Sequence, residues 1–434
     1  MAESRTLDAL PLAREGPAQT DLDKCVHCGL CLNACPTYRE LGVEMDSPRG
    51  RIQQMINIAG GEAINDSYIE HMELCLACRG CETACPSGVP YGRMIEAARA
   101  EIESRRKRAW PSRVLRYFVF HRLLPSRAML QIAGAGLYLY QASGMQRLLR
   151  ASGILNALGS LGRIEALTPT VEVPFFYSHV GKTFSAEGQK RYRVAFLSGC
   201  IANLTFCRLN EATLRVLQKN GCEVVIPGSQ NCCGALHVHS GLKDEARALA
   251  RRNIDAVLES GFDAVITNAA GCGSTLKEYH ELLADDPDYH EKAKRFSAMM
   301  KDVTEFLASI ELNSNMKPLE YTVTYQDSCH LLHGQKIKAA PRKLLRSIPG
   351  LKFREMPNSD VCCGSAGIYN IVRNEMAMQI LQHKMQAVKL SRADVIATAN
   401  PGCMLQLDAG ARLYGEGQKV KHVVELLDEA YSSV

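Results

Sequence analysis

The C-terminal half of the chain alternates short strand-like runs with longer stretches of helical period, and the alternation occurs twice. In the first round, runs at 193–197, 223–226 and 264–267 predict strands, while apolar positions recurring at i, i+3 and i+4 over 209–219 and 242–258 predict helices. In the second, strands at 321–325 and 395–398 flank a helical stretch at 366–390. Such alternation calls for a mostly parallel sheet covered by helices on both faces, here once per round. Residues 104–190 lack it. Their apolar positions, among them Val114, Leu115, Phe118, Leu123 and Leu124, interleave with arginines in an amphipathic pattern suited to a membrane surface or a partner groove. The most apolar piece, 128–140, has thirteen residues, short of the roughly twenty that cross a bilayer.

Charge sharpens the reading of this middle region. From residue 104 to 164 there are eleven Lys or Arg and no Asp or Glu; against a whole-chain balance of +5, these leave the remainder at −6. The band opens with Arg105, Arg106, Lys107 and Arg108 and continues through Arg113, Arg116, Arg122 and Arg127. Charge separated this way suggests a docking surface for an acidic protein or anionic headgroups, or else a solvated helix covering the N-terminal part. Nucleic acid fits poorly, because aromatic residues are not regularly interleaved and no binding motif is present. At 434 residues, 46% apolar and 22% charged, the chain has the makeup of a soluble multidomain protein. Residues 1–22 read as a flexible arm and not as a basic-then-apolar leader, so a reducing cytoplasm is expected, with peripheral attachment to the inner membrane an open option.

Eighteen cysteines are far more than such a protein needs, and sixteen are organised. Cys25, Cys28, Cys31 and Cys35-Pro36 form one C-x2-C-x2-C-x3-C-P run; Cys75, Cys78, Cys81 and Cys85-Pro86 form another of identical spacing. In this bacterial ferredoxin pattern three closely spaced thiolates bind one [4Fe-4S] cube and the fourth ligates the other. By that rule Cys25, Cys28, Cys31 and Cys85 hold one cluster, and Cys75, Cys78, Cys81 and Cys35 the second. Zinc is the alternative for paired C-x2-C motifs, but gives no reason for the third cysteine and the Cys-Pro ending.

The remaining cysteines follow the repeat. Cys200, Cys232-Cys233-Gly234 and Cys272 recur as Cys329, Cys362-Cys363-Gly364 and Cys403, at offsets of 129, 130 and 131 residues, which marks a duplicated unit. The single cysteines fall just past predicted strand ends, where open α/β sheets place ligands. Each set of four can therefore converge on one site holding further iron–sulfur, with a buried structural pair as the bland alternative. Cys207 and Cys222 lack counterparts and read as core. His330 and His333 beside Cys329, and His237 and His239 after the first pair, could ligate or carry protons, but local hydrogen bonding is the simpler role. No Gly-x-Gly-x-x-Gly fingerprint opens a helix after a strand, Gly134-Ala135-Gly136 lacking both setting and third glycine, and neither a haem motif nor a Walker loop occurs. A chain rich in redox centres but without a hydride acceptor leaves two-electron chemistry to a flavin-bearing partner.

These words together, with Cys35-Pro36-Thr37-Tyr38, Ser47-Pro48-Arg49-Gly50-Arg51-Ile52, Cys81-Glu82-Thr83-Ala84-Cys85-Pro86 and Cys362-Cys363-Gly364-Ser365-Ala366-Gly367, resemble the iron–sulfur subunits of glycolate oxidase (glycolate dehydrogenase). The wider group of cysteine-rich (CCG) proteins includes heterodisulfide reductase, anaerobic glycerol-3-phosphate dehydrogenase and lactate-utilisation subunits. The resemblance implies an α-helical ferredoxin-type domain (23–103), a basic helical linker (104–190) and two α/β CCG domains (191–312 and 319–434). It also implies a relay from a FAD-containing subunit that oxidises glycolate, or D-lactate, toward quinone or another respiratory acceptor. Heterodisulfide reductase-type repeats end in C-x2-C, whereas Cys272 and Cys403 stand alone, which leaves the species bound at the repeats open. A second reading is an iron–sulfur enzyme reducing disulfide or quinone at the repeat cysteines.

Overall fold

The structure is a computed structural model that describes residues 16–432, apart from 158–161, 163–164, 166–167 and 259. Through residue 15 the expected arm lies outside the described residues. Its remainder is packed: Leu22 is buried in the N-terminal core and Asp21 pairs with Arg93 (2.7 Å).

Two open sheets form the C-terminal half. In the first, β1 (Thr183–Phe184), β2 (Tyr192–Phe196), β3 (Cys222–Val225), β4 (Ala264–Thr267) and β5 (Met300–Asp302) lie in the order β1-β3-β2-β4-β5, parallel except at the β1 edge. In the second, β6 (Thr322–Tyr325), β7 (Lys352–Phe353), β8 (Val395–Thr398) and β9 (Lys419–His422) run fully parallel in the order β7-β6-β8-β9. Removing β1 leaves the same topology in both, and Val194 opposite Ala264 is matched by Val323 opposite Val395. Central strands β4 and β8 are buried at every residue because helices cover both faces. One core joins the copies: Val194, Phe196, Val224 and Ile266 share it with Val323, Tyr325, Leu426 and Leu427.

The N-terminal domain is helical. Helices Pro36–Leu41, Pro48–Ala59, Asp66–Leu74 and Tyr91–Arg105 bury Ile52, Met55, Ile64, Met72, Met94 and Ile95, each worth about 1.5–3 kcal/mol on removal from water. It rests on both repeats. Arg99 bonds the Met72 and His239 carbonyls (3.1 and 3.2 Å), Tyr369 donates to the Leu74 carbonyl (2.9 Å) and Arg373 chelates Glu70 (2.6 Å twice).

The basic band forms helices Trp110–Tyr117, Arg127–Ala142 and Met145–Ala151, the first continued by a wider turn over Phe118–Leu123. Much of its charge is internally matched, which narrows the candidate docking surface to the basic residues that remain unpaired among the described residues. Arg105 pairs with Glu101 (2.9 Å), Arg106 with Glu73, Arg108 and Arg116 with Glu103 (2.6 and 2.9 Å), and Arg127 donates to the Tyr177 carbonyl (2.7 Å). Helix Arg127–Ala142 docks on the first repeat at Gly134, where a Cβ would meet Leu204 at 2.8 Å. Its other face leaves Ile132 and Leu139 exposed, along with Trp110, Leu115 and Leu148. Among the described residues no helix is long and apolar enough to cross a membrane.

Candidate iron–sulfur centres

Each ferredoxin-type loop achieves its reversal in the same way. His27 and Gly29 in the first loop, and Ala77 and Arg79 in the second, adopt left-handed backbone conformations (φ 53, 81, 51 and 63°). Three of these four are not glycine, so surrounding contacts must hold a conformation that costs a non-glycine residue roughly 1–3 kcal/mol. Two such turns within one loop bring successive cysteines onto one inner wall. Pro36 then starts helix Pro36–Leu41 at its first position, where a missing N–H costs nothing.

Two cavities result. Cys25, Cys28, Cys31 and Cys85 line the first; Cys35, Cys75, Cys78 and Cys81 line the second, with Cys81 also reaching the wall of the first. The fourth cysteine of each run thus faces the other run's trio. Among the described residues no three His, Cys, Asp or Glu side chains converge on a point suited to a lone metal ion; thiolates around an iron–sulfide cube are spread about its core and need not converge. An all-sulfur donor set in a largely apolar shell fits that cofactor. Burial pushes the Cys78 and Cys81 thiols well above their ordinary range, so as free thiolates they would be costly, and a bound cation core would supply the missing compensation. Cys28 alone among these eight is exposed.

The second cavity abuts the second repeat. Leu76 and Cys78 pack in one apolar cluster with Cys329, Cys362 and Tyr369. Within the repeats, all four cysteines of each set are drawn together: Cys200 lies 3.5 Å from Cys232, which neighbours Cys233, which neighbours Cys272. Cys329, Cys362, Cys363 and Cys403 form the same chain of contacts. Cys272 and Cys403 each sit in the first turn of a helix following the central strand β4 or β8. Gly234 and Gly364 have φ of 82 and 91°, and a Cβ on Gly364 would meet the Ala377 carbonyl at 2.6 Å. Glycine is required there to seat the paired cysteines against the neighbouring helix.

The remaining cysteines and the histidines serve packing. Cys207 donates to the Asn203 carbonyl (3.2 Å) and Cys222 is wholly buried in β3, both away from the two sets of four. His330 bonds the Ala77 carbonyl (3.0 Å), His333 bridges Thr83 and the Asp360 carbonyl (2.9 and 3.0 Å), and His239 pairs with Glu96 (3.0 Å). These three fasten the N-terminal domain to the repeats. His237 bonds the Phe120 carbonyl (2.8 Å) and fixes the linker. Sequence reasoning did not single out Arg51, a fully buried arginine against the second cavity; its only signal was its place in the Ser47–Ile52 word.

Comparison with known proteins agrees with this architecture. Residues 21–89 match the 4Fe-4S dicluster domain, 111–168 the linker region of the glycolate oxidase iron-sulfur subunit, and 194–277 and 323–408 the cysteine-rich domain. The chain is 45% identical to a probable glycolate oxidase iron-sulfur subunit of Bacillus subtilis and 32% identical to the glycolate oxidase iron-sulfur subunit of Escherichia coli, covering 96% of each chain in both cases. It is 30% identical to lactate utilization protein A of Oceanobacillus iheyensis, over 54% of this chain and 96% of that one. With two full-length relatives and a matching linker, the chain belongs to the family of glycolate oxidase iron-sulfur subunits, electron-transfer components of an oxidoreductase.

Proposed function

We propose that this chain relays electrons in a glycolate-oxidising complex. A FAD-containing partner subunit would oxidise glycolate to glyoxylate and release two electrons, which the chain accepts one at a time and passes toward quinone or another respiratory acceptor. The observation that carries this reading is a continuous file of sulfur sites. It runs from exposed Cys28 through the first cavity, across shared Cys81 to the second, and from Cys78 to Cys329 and Cys362. In this reading Cys25, Cys28, Cys31 and Cys85 hold one [4Fe-4S] cluster, and Cys35, Cys75, Cys78 and Cys81 the other. The sets at Cys200, Cys232, Cys233 and Cys272, and at Cys329, Cys362, Cys363 and Cys403, hold additional iron–sulfur. Bound clusters supply reversible one-electron storage; the protein supplies the ligand spacing, the dry shell and the close packing between sites.

D-lactate is a second substrate for the partner, consistent with the likeness to a lactate utilization protein. In this reading the assembly works in the cytoplasm or peripherally on the inner face of the membrane, the second option being supported by the exposed apolar side chains of the linker. Two measurements test the proposal. Iron and sulfide analysis of anaerobically purified protein should exceed about eight irons per chain, the content of two cubes alone. Glycolate-dependent dye reduction should require the flavoprotein; turnover by the isolated chain would overturn the relay.

A further inference from the structure

One guanidinium stands against the more deeply buried cavity. Arg51 has no exposed surface, and its Nη1 lies 3.9 Å from Cys35 Sγ. Nε donates to the His71 carbonyl (2.7 Å), and Nη1 and Nη2 both reach Thr37 Oγ1 (3.2 Å). Its counter-ion is Asp46 (3.3 Å), which also accepts from His71 (2.8 Å). The cation therefore lies close to both the Asp46 carboxylate and the Cys35 sulfur, with Cys75 also within its electrostatic reach. The same sulfurs collect further donors: Tyr91 O–H and the Ala77 N–H both point to Cys75 Sγ (3.7 and 3.3 Å).

The local sequence builds this placement. Ser47 caps helix Pro48–Ala59 by accepting from the Gly50 N–H (2.9 Å), Pro48 opens it, and Gly50 allows the Glu44 carbonyl to approach where a Cβ would stand 2.0 Å away. Two residues apart on this first turn, the arginines diverge. Arg49 turns to the first loop, bonding the His27 carbonyl (3.1 Å), but is neutralised at the surface by Glu44. Among the described residues no side-chain donor reaches the sulfurs of Cys25, Cys28, Cys31 or Cys85, whereas those of the second set have Arg51 and Tyr91.

Adding an electron to a cluster adds negative charge, and burial away from water opposes this. The second set is the more buried of the two, so its cluster has the greater need for a compensating charge. Lysine or arginine deep inside a protein is rare unless paired, and Asp46 alone would have been avoided by leaving both positions apolar.

Resting on the cluster assignment proposed above, we propose that Arg51 is a positioning residue that keeps the cluster at Cys35, Cys75, Cys78 and Cys81 reducible, by holding a permanent positive charge against its ligands where water cannot. The test is a redox titration, followed by low-temperature paramagnetic resonance, of the anaerobically purified full chain. Arg51→Gln should weaken reduction of one cluster at least tenfold, which is 59 mV for a one-electron couple, and leave the other unmoved. Arg49→Gln, which alters the first loop instead, should leave that same cluster unmoved. Asp46→Asn, which removes the counter-charge and leaves the cation, should shift the same cluster in the opposite direction, and it decides the matter if Arg51→Gln fails to assemble. Unchanged potentials in an assembled Arg51→Gln protein, or in Asp46→Asn when that protein is the deciding one, would overturn the role of Arg51 while leaving the clusters standing. Loss of both signals from the unsubstituted chain would instead overturn the cluster assignment.

Discussion

Asn253 and Lys384 occupy the same place in the two copies of the repeat, one neutral and one cationic. Each lies seven residues beyond the alanine that packs on the glycine of its Cys-Cys-Gly turn, Ala246 on Gly234 and Ala377 on Gly364. Asn253 donates to the Cys232 carbonyl and receives the Asn231 N–H (3.0 and 2.8 Å). Lys384 instead reaches the Asn358 carbonyl (2.5 Å) and is 3% exposed. Burial pushes its ammonium down to about 8, with Cys363 and Cys362 drawing it back up, so near neutral pH it is mainly charged. The two repeat sites are therefore electrostatically unequal despite equal cysteines. Lys384→Asn is expected to make the second site harder to reduce by about tenfold or ~59 mV, with the first unchanged. Redox titration of the anaerobic protein checks this, and unaltered potentials in the variant would remove Lys384 from the argument.

The repeat could be read from the sequence because its central strands and cysteines obey local rules. Strands β4 and β8 are continuous apolar runs, as strands covered on both faces must be, and the cysteine offsets survive any loop variation. Edge strands were invisible for the opposite reason: β9 reads Lys419-Val420-Lys421-His422, a polar word, and β7 has two residues. The helix expected over 366–390 is two helices, Tyr369–Val372 and Asn374–Ser391, broken at Arg373 (φ −120, ψ 50), whose side chain is held by Glu70 and Glu73 of the N-terminal domain. No local pattern could announce a partner three hundred residues away. The thiolate sets were legible from spacing, but Arg51 was not, because an arginine in a polar helix turn ordinarily faces water.

Internal pairing changes what mutagenesis of the basic band should do. Arg106 and Arg108 answer Glu73 and Glu103 within the chain, and partly exposed pairs of this kind contribute about 0.2–1 kcal/mol each. Arg106→Ala with Arg108→Ala should therefore lower stability by roughly 1 kcal/mol and leave partner or membrane association intact. Lys107, Arg113, Arg122 and Arg147 are exposed and have no ion-pair partner among the described residues. Neutralising those four should weaken association in a salt-sensitive manner, because such charges are screened within about 8 Å at physiological ionic strength. Co-sedimentation with vesicles and pull-down with the flavoprotein, each across a salt series, separate the two sets; equal effects from both would contradict the distinction.

Acid should loosen the second repeat through His422. This side chain has no exposed surface, and its Nδ1 accepts from the Val424 N–H (3.1 Å). Burial lowers its folded value to about 4 against an ordinary 6.5, only partly offset by backbone groups of Ala399 and Asn268. A histidine held neutral in the fold but free to charge when unfolded contributes stability above the ordinary value, lost as pH falls from about 6.5 to about 4. The full loss is about 3 kcal/mol at 1.36 kcal/mol per unit. Denaturant titrations at neutral pH and near pH 4 should show a smaller pH dependence for His422→Leu than for the unsubstituted chain. An identical dependence in the two proteins would locate the acid sensitivity elsewhere.

Glycine substitutions should distinguish the two Cys-Cys-Gly turns by severity. At both, alanine would be held at positive φ, 82° at Gly234 and 91° at Gly364, a strain of about 1–3 kcal/mol. The surroundings differ. At Gly234 the new methyl would lie 3.3 Å from Ala246 Cα, a contact that small adjustments relieve, whereas at Gly364 it would meet the Ala377 carbonyl oxygen at 2.6 Å, backbone at a buried position of a helix. Overpacking of that kind adds about 1–3 kcal/mol, so Gly364→Ala should cost roughly 2–6 kcal/mol and Gly234→Ala less. Because the Gly364 N–H donates to Cys362 Sγ (3.4 Å), relief of the clash must also move the paired cysteines. Gly364→Ala should therefore lose iron at the second repeat under conditions where Gly234→Ala keeps its full complement, measured by iron analysis and thermal melts on parallel anaerobic preparations. Equal melting points and equal iron in the two variants would mean that the Ala377 carbonyl yields freely and that the turn is not the rigid seat described for it.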